Sequence, residues 1–301
     1  MSHLQTSQLF SVQGLVVVLT GGGSGLGRTM ALALAENGAS KVFVLGRREE
    51  ALRETASLST KGSIIPVVAD ISSKESLQAA YDTIAAQTEH VDLLIANSGV
   101  LGSVMRPPGP KPDGSIPSLQ EVRDHLWSFP MKEFSKVMDI NVTGTYFTVL
   151  AFLPLLEAAN KRRPVPVKNQ PSAPTAQVII TSSIGGFNRR AAFNVAYNMS
   201  KAATNHLIKL LATTFVPYHI RVNGLAPGLY LSEMSSDSFG DGDLGVSDGS
   251  FPKELVPLTR AGSEQEIAGI ILWMASASGA YLNGNITVTD GGRLSTLPCT
   301  Y

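Results

Sequence analysis

Near the N-terminus the chain reads Leu15-Val16-Val17-Val18-Leu19-Thr20-Gly21-Gly22-Gly23-Ser24-Gly25-Leu26-Gly27, an apolar run that continues directly into a glycine-rich turn. The run has the length of a buried strand, and residues 26–36 after the turn have a helical pattern. Glycine lets backbone amides approach a pyrophosphate closely, and the N-terminus of the following helix favours its negative charge. The stretch therefore predicts the phosphate-binding turn of a dinucleotide site, with a merely flexible glycine turn as the alternative.

Outward from this turn, strand-like and helix-like segments alternate along the chain. Short apolar runs of strand length recur at 42–45, 64–68, 93–96, 178–180, 220–223 and 286–289. Helical patterns lie at 26–36, 49–57, 74–87, 131–159, 196–215 and 264–275. Apolar runs without alternation are typical of strands buried on both faces, so we predict an α/β fold with a doubly wound parallel sheet.

Three segments do not fit this alternation. Residues 101–128 and 161–176 are rich in proline and are predicted to be loops or insertions, and residues 229–257 are predicted to form a lid over the substrate. The lid hypothesis depends on the apolar side chains Met234, Phe239, Leu244 and Phe251, which are spaced along a segment rich in Ser, Gly and Asp. No linker divides the chain, so we expect residues 1–301 to form a single domain.

Composition and charge exclude several classes of protein. The 24 Lys and Arg balance the 24 Asp and Glu among 301 residues, so no excess charge favours a nucleic acid or an anionic membrane as partner. The single cysteine, Cys299, cannot form an intrachain disulfide. Residues 1–13 lack the apolar core of a signal peptide, and the apolar runs are interrupted well short of a membrane span. We therefore expect a cytoplasmic protein.

The residues after the second strand predict which cofactor the turn binds. Sites that select NAD have an acid here for the ribose 2′-hydroxyl, whereas this chain has Gly46-Arg47-Arg48. Guanidinium groups match the geometry of a 2′-phosphate, so we predict NADP(H). The alternative is that both arginines are a solvated start of the next helix.

Further candidate cofactor residues follow the third and fourth strands. Asp70-Ile71 and Asn97-Ser98-Gly99 lie where ligands bind in open parallel sheets, at the carboxyl ends of strands. The carboxylate of Asp70 is suited to accept a hydrogen bond from the amino group of adenine. Asn97 is equally consistent with a simple turn former.

Tyr197 and Lys201 lie four residues apart, fourteen residues after Ser183. Positions i and i+4 share one helix face, so the phenol and the ammonium can address one small volume. A neighbouring cation favours the phenolate, so we expect Lys201 to lower the pKa of Tyr197. Ser183 follows a predicted strand and is placed to bind the oxygen that Tyr197 protonates, a role that the adjacent Ser182 could take instead.

Together these residues resemble the short-chain dehydrogenase/reductase family. The resemblance extends from Leu15 to Gly292 and includes the glycine turn, Asp70, Asn97-Ser98-Gly99, Asn141, Ser183, Tyr197, Lys201, Pro227-Gly228 and Asp290-Gly291-Gly292. It implies a single Rossmann domain with strand order 3-2-1-4-5-6-7.

The resemblance also implies roles for individual residues. Tyr197 would be the proton donor in ketone reduction, Ser183 would bind the carbonyl oxygen, and Lys201 would bind the nicotinamide ribose. Asn141 would lie at a helix irregularity and hold a water that links Lys201 to solvent, or it could be a packed polar residue. Cofactor contacts are implied for Thr20, Gly21, Gly23, Ser24, Gly25, Leu26, Gly27, Arg47, Arg48, Asp70, Ile71, Asn97, Ser98, Gly99, Pro227, Gly228 and Ser232. No metal is implied.

These observations predict an NADPH-dependent carbonyl reductase, or the alcohol dehydrogenase running in reverse. The apolar side chains of the predicted lid favour a moderately large apolar ketone, such as a 3-oxoacyl, polyketide or terpenoid ketone. The sequence shows no basic cluster near the lid, which argues against strongly anionic substrates. Two alternatives remain, namely a non-redox enzyme of this fold for dehydration or cyclisation, and a catalytically silent NADP(H)-binding sensor. The family commonly pairs its long helices across two-fold axes, so a homodimer or homotetramer is expected.

Overall fold

Seven strands form one parallel sheet in the order β3-β2-β1-β4-β5-β6-β7, which confirms the predicted topology. The computed structural model describes residues 4–191, 193–232 and 244–301. The strands are β1 Val16–Thr20, β2 Lys41–Gly46, β3 Ile64–Val68, β4 Leu93–Ala96, β5 Gln177–Thr181, β6 Arg221–Pro227 and β7 Ile286–Thr289.

The burial of each strand follows its place in the sheet. Every residue of β1, β4 and β6 is buried, which explains why these strands are continuous apolar runs rather than alternating ones. The edge strand β3 contains Pro66, and its Val68 is 53% exposed. Proline lacks a backbone donor and is tolerated at a sheet edge, where no further strand needs that hydrogen bond.

Helices cover both faces of the sheet. They are α1 Thr6–Leu9, α2 Gly25–Glu36, α3 Glu49–Ser57, α4 Lys74–Ala85, α5 Leu119–Trp127, α6 Met131–Met138, α7 Thr145–Lys161, α8 Val195–Thr214 and α9 Glu264–Ala275. One core cluster joins α4, α7 and α8 to the sheet, and a second joins α2, α3 and α9 to its other face. This two-sided burial leaves the strand ends as the place for a ligand.

One predicted helix has the irregularity that the family resemblance implies, and one predicted loop contains a helix. The predicted helix 131–159 is interrupted by a π-helical segment, Asp139–Gly144, between α6 and α7. The predicted loop 101–128 contains α5, which begins with a capping box between Ser118 and Glu121. No residue of α5 is buried, and the helical spacing of Leu119, Val122 and Leu126 was missed because the surrounding segment is rich in proline and glycine.

The continuous helical stretch Met131–Lys161 is long and apolar enough, by length and composition, to cross a membrane. Its residues Val149, Phe152 and Leu156 are fully buried in the first core cluster. The apolar character of this helix is therefore explained by its place in the core of the domain.

Candidate active site

A cavity of about 1250 Å³ opens at the carboxyl ends of the strands. It is lined by all the predicted site residues except Thr20 and Asn141. The structure thus brings together the glycine turn after β1, the arginines after β2, the segments after β3 and β4, and the Ser183, Tyr197 and Lys201 side chains. These segments come from distant parts of the sequence, and the parallel sheet aligns their ends.

The glycine turn requires its glycines for two different reasons. Gly21 has a φ of +71°, and a Cβ there would lie 2.9 Å from the side-chain nitrogen of Asn97. A Cβ on Gly27 would overlap the carbonyl oxygen of Gly21. The turn therefore closes tightly against the start of α2 and presents backbone to the cavity, as a site for a pyrophosphate requires.

Thr20 and Asn97 support this turn from behind. The Thr20 hydroxyl is buried and accepts hydrogen bonds from the backbone amides of Asn97, at 3.0 Å, and Ser98, at 3.1 Å. The Asn97 side chain donates to the Thr20 carbonyl at 3.2 Å. The Thr20 hydroxyl therefore ties β1 to the segment after β4, and the cofactor contact expected of Thr20 stays a prediction.

Sequence reasoning missed two residues that hold the turn in place. Arg28 donates to the Gly23 carbonyl at 2.7 Å and forms an ion pair with Glu54 at 2.7 Å. The buried Thr55 hydroxyl donates to the Gly22 carbonyl at 2.9 Å. Arg28 directly follows the glycine motif and could have been suspected, whereas Thr55 carries no sequence signal.

The two arginines after β2 lie at one end of the cavity. Both Arg47 and Arg48 line it, and Arg48 contacts the Ser24 hydroxyl of the glycine turn at 3.3 Å. Asp70 lies nearby, and hydrogen bonds from the Ser72 hydroxyl and amide, with a smaller effect of Arg47, lower the pKa of its carboxyl. No acid takes the position after β2 that would repel a 2′-phosphate, because that residue is Gly46.

The side chains of Ser183, Tyr197 and Lys201 line the same cavity as the glycine turn. Tyr197 and Lys201 lie one turn apart on α8, with only 7% and 5% of their surfaces exposed. The Lys201 ammonium donates to the Thr181 carbonyl at 3.0 Å and lies 5.9 Å from the centroid of the Tyr197 ring. The Ser183 hydroxyl accepts from the Gly185 amide at 3.0 Å, and its interaction with the phenol acts to lower the pKa of Tyr197. The alternative serine, Ser182, instead donates to Asn205 and to the Lys201 carbonyl.

Burial controls the titration of this pair. It raises the pKa of the Tyr197 phenol, and the interaction with Ser183 only partly opposes that rise. Burial also lowers the pKa of Lys201 to about 8. The expectation that Lys201 lowers the pKa of Tyr197 is not met, because the ammonium is directed at the Thr181 carbonyl and its own charge is disfavoured. Tyr197 is consequently a neutral phenol at pH 7, able to give a proton.

Asn141 lies behind the cavity in the π-helical segment, where sequence analysis expected a helix irregularity. Its side chain accepts from the Val100 amide at 2.8 Å and donates to the Val100 carbonyl at 2.9 Å and the Ser200 hydroxyl at 3.0 Å. Ser200 in turn donates to the Tyr197 carbonyl at 2.7 Å. Asn141 therefore links the loop after β4 to the helix that carries Tyr197, and its role in a proton relay stays a prediction.

Asn194 is a further positioning residue that sequence reasoning missed. It is 1% exposed, and its side-chain oxygen accepts from the Tyr197 amide at 2.7 Å, which caps α8. Its side-chain nitrogen donates to the carbonyls of Leu101 and Ser103 at 2.8 and 2.9 Å. One amide thus fixes the start of the Tyr197 helix to the beginning of the insertion.

The predicted lid is only partly within the described residues. Met234 and Phe239 lie outside them. Phe251 lines the cavity, whereas Leu244 is 56% exposed. Tyr230 is buried, and its hydroxyl contacts that of Thr289 at 2.6 Å. The closing motion of this segment stays a prediction.

The residues present fit a phosphorylated dinucleotide. Glycine backbone forms the wall that a pyrophosphate needs, and the two arginines stand where a 2′-phosphate would lie. The Thr181 hydroxyl is buried at the cavity wall without a hydrogen-bond partner, as expected of a group reserved for a ligand. Within the part of the chain that the structure describes, no group of three or more His, Cys, Asp or Glu could hold a metal.

Known proteins share both this sequence pattern and this fold. The family model for short chain dehydrogenases matches residues 15–241. The short-chain dehydrogenase/reductase PhomF of Diaporthe leptostromiformis is 42% identical over 305 residues, which cover 99% of this chain and 97% of that protein. A rhamnolipids biosynthesis 3-oxoacyl-[acyl-carrier-protein] reductase of Pseudomonas aeruginosa is 31% identical over 284 residues, or 94% and 97% of the two chains.

Among solved structures, the Pseudomonas aeruginosa RhlG/NADP active-site complex is similar with a TM-score of 0.76 and 29% identity. The similarity covers 94% of this chain and 98% of that one. Sequence, sheet order and site residues therefore agree, and the chain belongs to the short-chain dehydrogenase/reductase family.

Proposed function

We propose that this oxidoreductase is an NADPH-dependent reductase of ketones, which can also run in reverse as an alcohol dehydrogenase. The observation that carries the proposal is the buried, neutral phenol of Tyr197, which lines the cavity together with Ser183. A general acid must be protonated at the working pH and must reach the atom that receives its proton. A buried phenol of raised pKa meets the first condition for reduction.

The side chains divide the chemistry between them. NADPH, when bound, supplies the hydride for the carbonyl carbon. Tyr197 gives its proton to the carbonyl oxygen, and the Ser183 hydroxyl donates a hydrogen bond to the same oxygen as negative charge develops there. Lys201, one turn after Tyr197 at the cavity wall, binds the nicotinamide ribose. Arg47 and Arg48 hold the 2′-phosphate, and Gly21 to Gly27 hold the pyrophosphate.

The preference for NADP(H) over NAD(H) is supported by the residues after β2. Gly46 replaces the acid expected of a site that selects NAD, and both following arginines line the cavity. The similar structure from Pseudomonas aeruginosa is a complex with NADP. The single cysteine is consistent with a cytoplasmic enzyme.

We further propose a moderately large, mainly apolar ketone as the substrate. The cavity wall beyond Tyr197 includes Phe193, Phe251, Leu255 and Leu297, which together offer an apolar surface. One relative is named as a 3-oxoacyl-[acyl-carrier-protein] reductase, and this makes 3-oxoacyl compounds one class to test.

A panel of ketones tests the proposal through the absorbance of NADPH. The panel should include linear 3-oxoacyl thioesters, bicyclic aromatic ketones and terpenoid ketones, each assayed with NADPH and with NADH. We expect at least one class to consume NADPH, with kcat/KM at least tenfold higher than with NADH, because a charge-assisted hydrogen bond contributes about 1.5–3 kcal/mol. Equal use of both cofactors would contradict the NADP preference. Conversion of substrate without NADPH consumption would favour a non-redox enzyme, and binding without any conversion would favour a sensor.

A further inference from the structure

Positive charge is concentrated in the cavity of a chain that has no net charge. The basic residues that line it are Arg47, Arg48, Arg106, Arg190, Arg293 and Lys201, whereas Asp70 is the one acid among the lining residues that the structure describes. Arg47 and Arg48 stand at the 2′-phosphate end, and Lys201 lies beside Tyr197. Three arginines therefore remain that the cofactor does not require.

These three arginines come from separate segments of the chain. Arg106 belongs to the insertion 101–128, Arg190 to the loop between β5 and α8, and Arg293 to the segment after β7. Sequence analysis found no basic cluster near the lid because these residues converge only in the folded chain. Sequence analysis argued against strongly anionic substrates because it found no such cluster, and this expectation does not hold for the folded chain.

Two of the three arginines are connected to the surroundings of Tyr197, one by ring contacts and one by a hydrogen bond. The Arg106 guanidinium lies 6.0 Å from the centroid of the Phe193 ring, and that ring contacts the Tyr197 ring edge-on at 6.0 Å between centroids. The carbonyl of Arg190 accepts a hydrogen bond from Asn198, the residue after Tyr197, at 3.2 Å. Arg106 and Arg190 thus line the cavity next to residues that contact or adjoin Tyr197.

The charges of the three arginines are not neutralised by ion pairs. In the described ranges 4–191, 193–232 and 244–301, no carboxylate oxygen lies within 4.0 Å of their guanidinium nitrogens. Asp290 is the acid whose charge acts on Arg293. Its two carboxylate oxygens, however, accept hydrogen bonds from the backbone amides of Gly292 and Leu294. Guanidinium groups that face a cavity without an acid are suited to bind an anion.

We propose that Arg106, Arg190 and Arg293 bind an anionic group, a carboxylate or a phosphate, on the distal end of the ketone substrate. This inference rests on the proposed function and narrows its substrate class to apolar ketones that carry a negative charge. The apolar wall would hold the body of such a molecule, and the arginines would fix which end faces Tyr197. Clefts lined by one sign of charge also raise the local concentration of an oppositely charged ligand.

Equilibrium binding tests the proposal without requiring turnover. The NADP⁺-loaded enzyme is titrated by calorimetry with naphthalene-2-carboxylate and with its neutral isostere naphthalene-2-carboxamide. We expect the wild type to bind the carboxylate at least tenfold more tightly, and the Arg106→Gln/Arg190→Gln double variant to lose most of that preference. Both residues are exposed, so this variant is expected to fold, and adding Arg293→Gln should abolish the preference.

Arg189→Gln is the matched control, because Arg189 is exposed in the same loop and does not line the cavity. Arg189→Gln should leave the preference for the carboxylate over the carboxamide unchanged. Equal binding of the two ligands by the wild type, no binding of the carboxylate, or an unchanged preference in the double and triple variants would overturn the proposal. None of these outcomes would affect the reduction of neutral ketones, so the ketone panel and this titration can fail independently. A parallel titration with 2-naphthyl phosphate distinguishes a phosphate site from a carboxylate site.

Discussion

At the residue scale, the surroundings of Tyr197 explain why a phenol can act as an acid here. Its burial raises the pKa, and the interaction with Ser183 opposes that rise only in part. The placement of Tyr197 and Lys201 on one helix face could be predicted from the sequence, because residues i and i+4 share a face. The direction of the pKa shift could not, since it depends on how deeply the fold buries the pair and on where the Lys201 ammonium points.

Tyr197→Phe removes the proton donor and keeps the packing of the ring. General acid–base groups typically contribute about 10²–10⁴-fold, so kcat/KM for ketone reduction should fall by that factor. The affinity for NADPH, measured by fluorescence titration, should change little. Ser182→Ala, a change next to Ser183 that leaves the phenol in place, is the comparison. Activity of Tyr197→Phe within a few-fold of the wild type would show that another group is the acid.

Lys201→Met should stabilise the protein at neutral pH. Burial lowers the pKa of Lys201 to about 8 in the folded state from its ordinary value of 10.5, so the unfolded state binds more protons between these values. The free energy of unfolding of the wild type therefore rises with pH across this window, and below pH 8 the folded state bears the cost of a buried charge. Removing the charge should raise stability at pH 7 by up to about 3 kcal/mol, at the expense of activity.

Urea unfolding at pH 7 and pH 10 measures this difference. The advantage of Lys201→Met should shrink at the higher pH, whereas Lys132→Met, on an exposed lysine of α6, should show no such dependence. A variant that is less stable than the wild type by the same amount at both pH values would mean that Lys201 carries no burial cost.

At the element scale, α8 is the helix on which the site depends. Asn194 caps it and joins it to the insertion, while Asn141 in the π-helical segment joins it to the loop after β4 through Ser200. The existence and near-bounds of α8 follow from the sequence pattern. The hydrogen bonds that connect α8 to its neighbours could not be predicted, because no periodicity marks a buried asparagine. The Leu101 and Ser103 carbonyls that Asn194 binds also lie 91 or more residues away in the sequence.

Asn194→Ala should destabilise the protein more than the loss of an ordinary cap. The change removes the cap of α8, for which about 1 kcal/mol is typical, and leaves the Leu101 and Ser103 carbonyls, whose hydrogen bonds are partly buried, without their donor. We expect a total of about 2–4 kcal/mol by urea unfolding, and a lower kcat because the start of the Tyr197 helix is released. Ser73→Ala, which removes only the cap of α4, should cost about 1 kcal/mol and leave kcat unchanged. Equal effects of the two variants would contradict the positioning role of Asn194.

At the scale of the whole molecule, a doubly wound parallel sheet with its ligand site at the strand ends follows from strand–helix alternation, whereas the order of the seven strands was implied by the family resemblance. Right-handed crossovers leave few topologies for such a pattern. What the sequence could not provide is the convergence of Arg106, Arg190 and Arg293, since they lie in segments of irregular structure whose paths no periodicity fixes. In α5 the helical spacing of Leu119, Val122 and Leu126 is present in the sequence, but the prolines around it favoured a loop.

We predict a homodimer or homotetramer whose interface includes α8. Val195, Met199 and Leu210 form one exposed apolar stripe along this helix, with 44%, 49% and 52% of their surfaces exposed. A stripe of this kind on a helix is typical of an interface. Light scattering should give two or four times the mass of the chain, and Leu210→Glu should lower it. Leu58→Glu, at an equally exposed leucine after α3, should not, and a monomeric wild type would contradict the prediction.

The transfer of the cofactor hydrogen to the ketone carbon tests the central claim most directly. A ketone that the enzyme accepts is converted in the presence of NADPH deuterated at the transferred position, and the product is examined by NMR. We predict that one NADPH is consumed for each alcohol formed and that the product carries deuterium at the carbinol carbon. In Tyr197→Phe, we expect both the NADPH consumption and the deuterated product to be lost. Product formed without NADPH consumption, or without deuterium at that carbon, would contradict the assignment of this site as a ketone reductase.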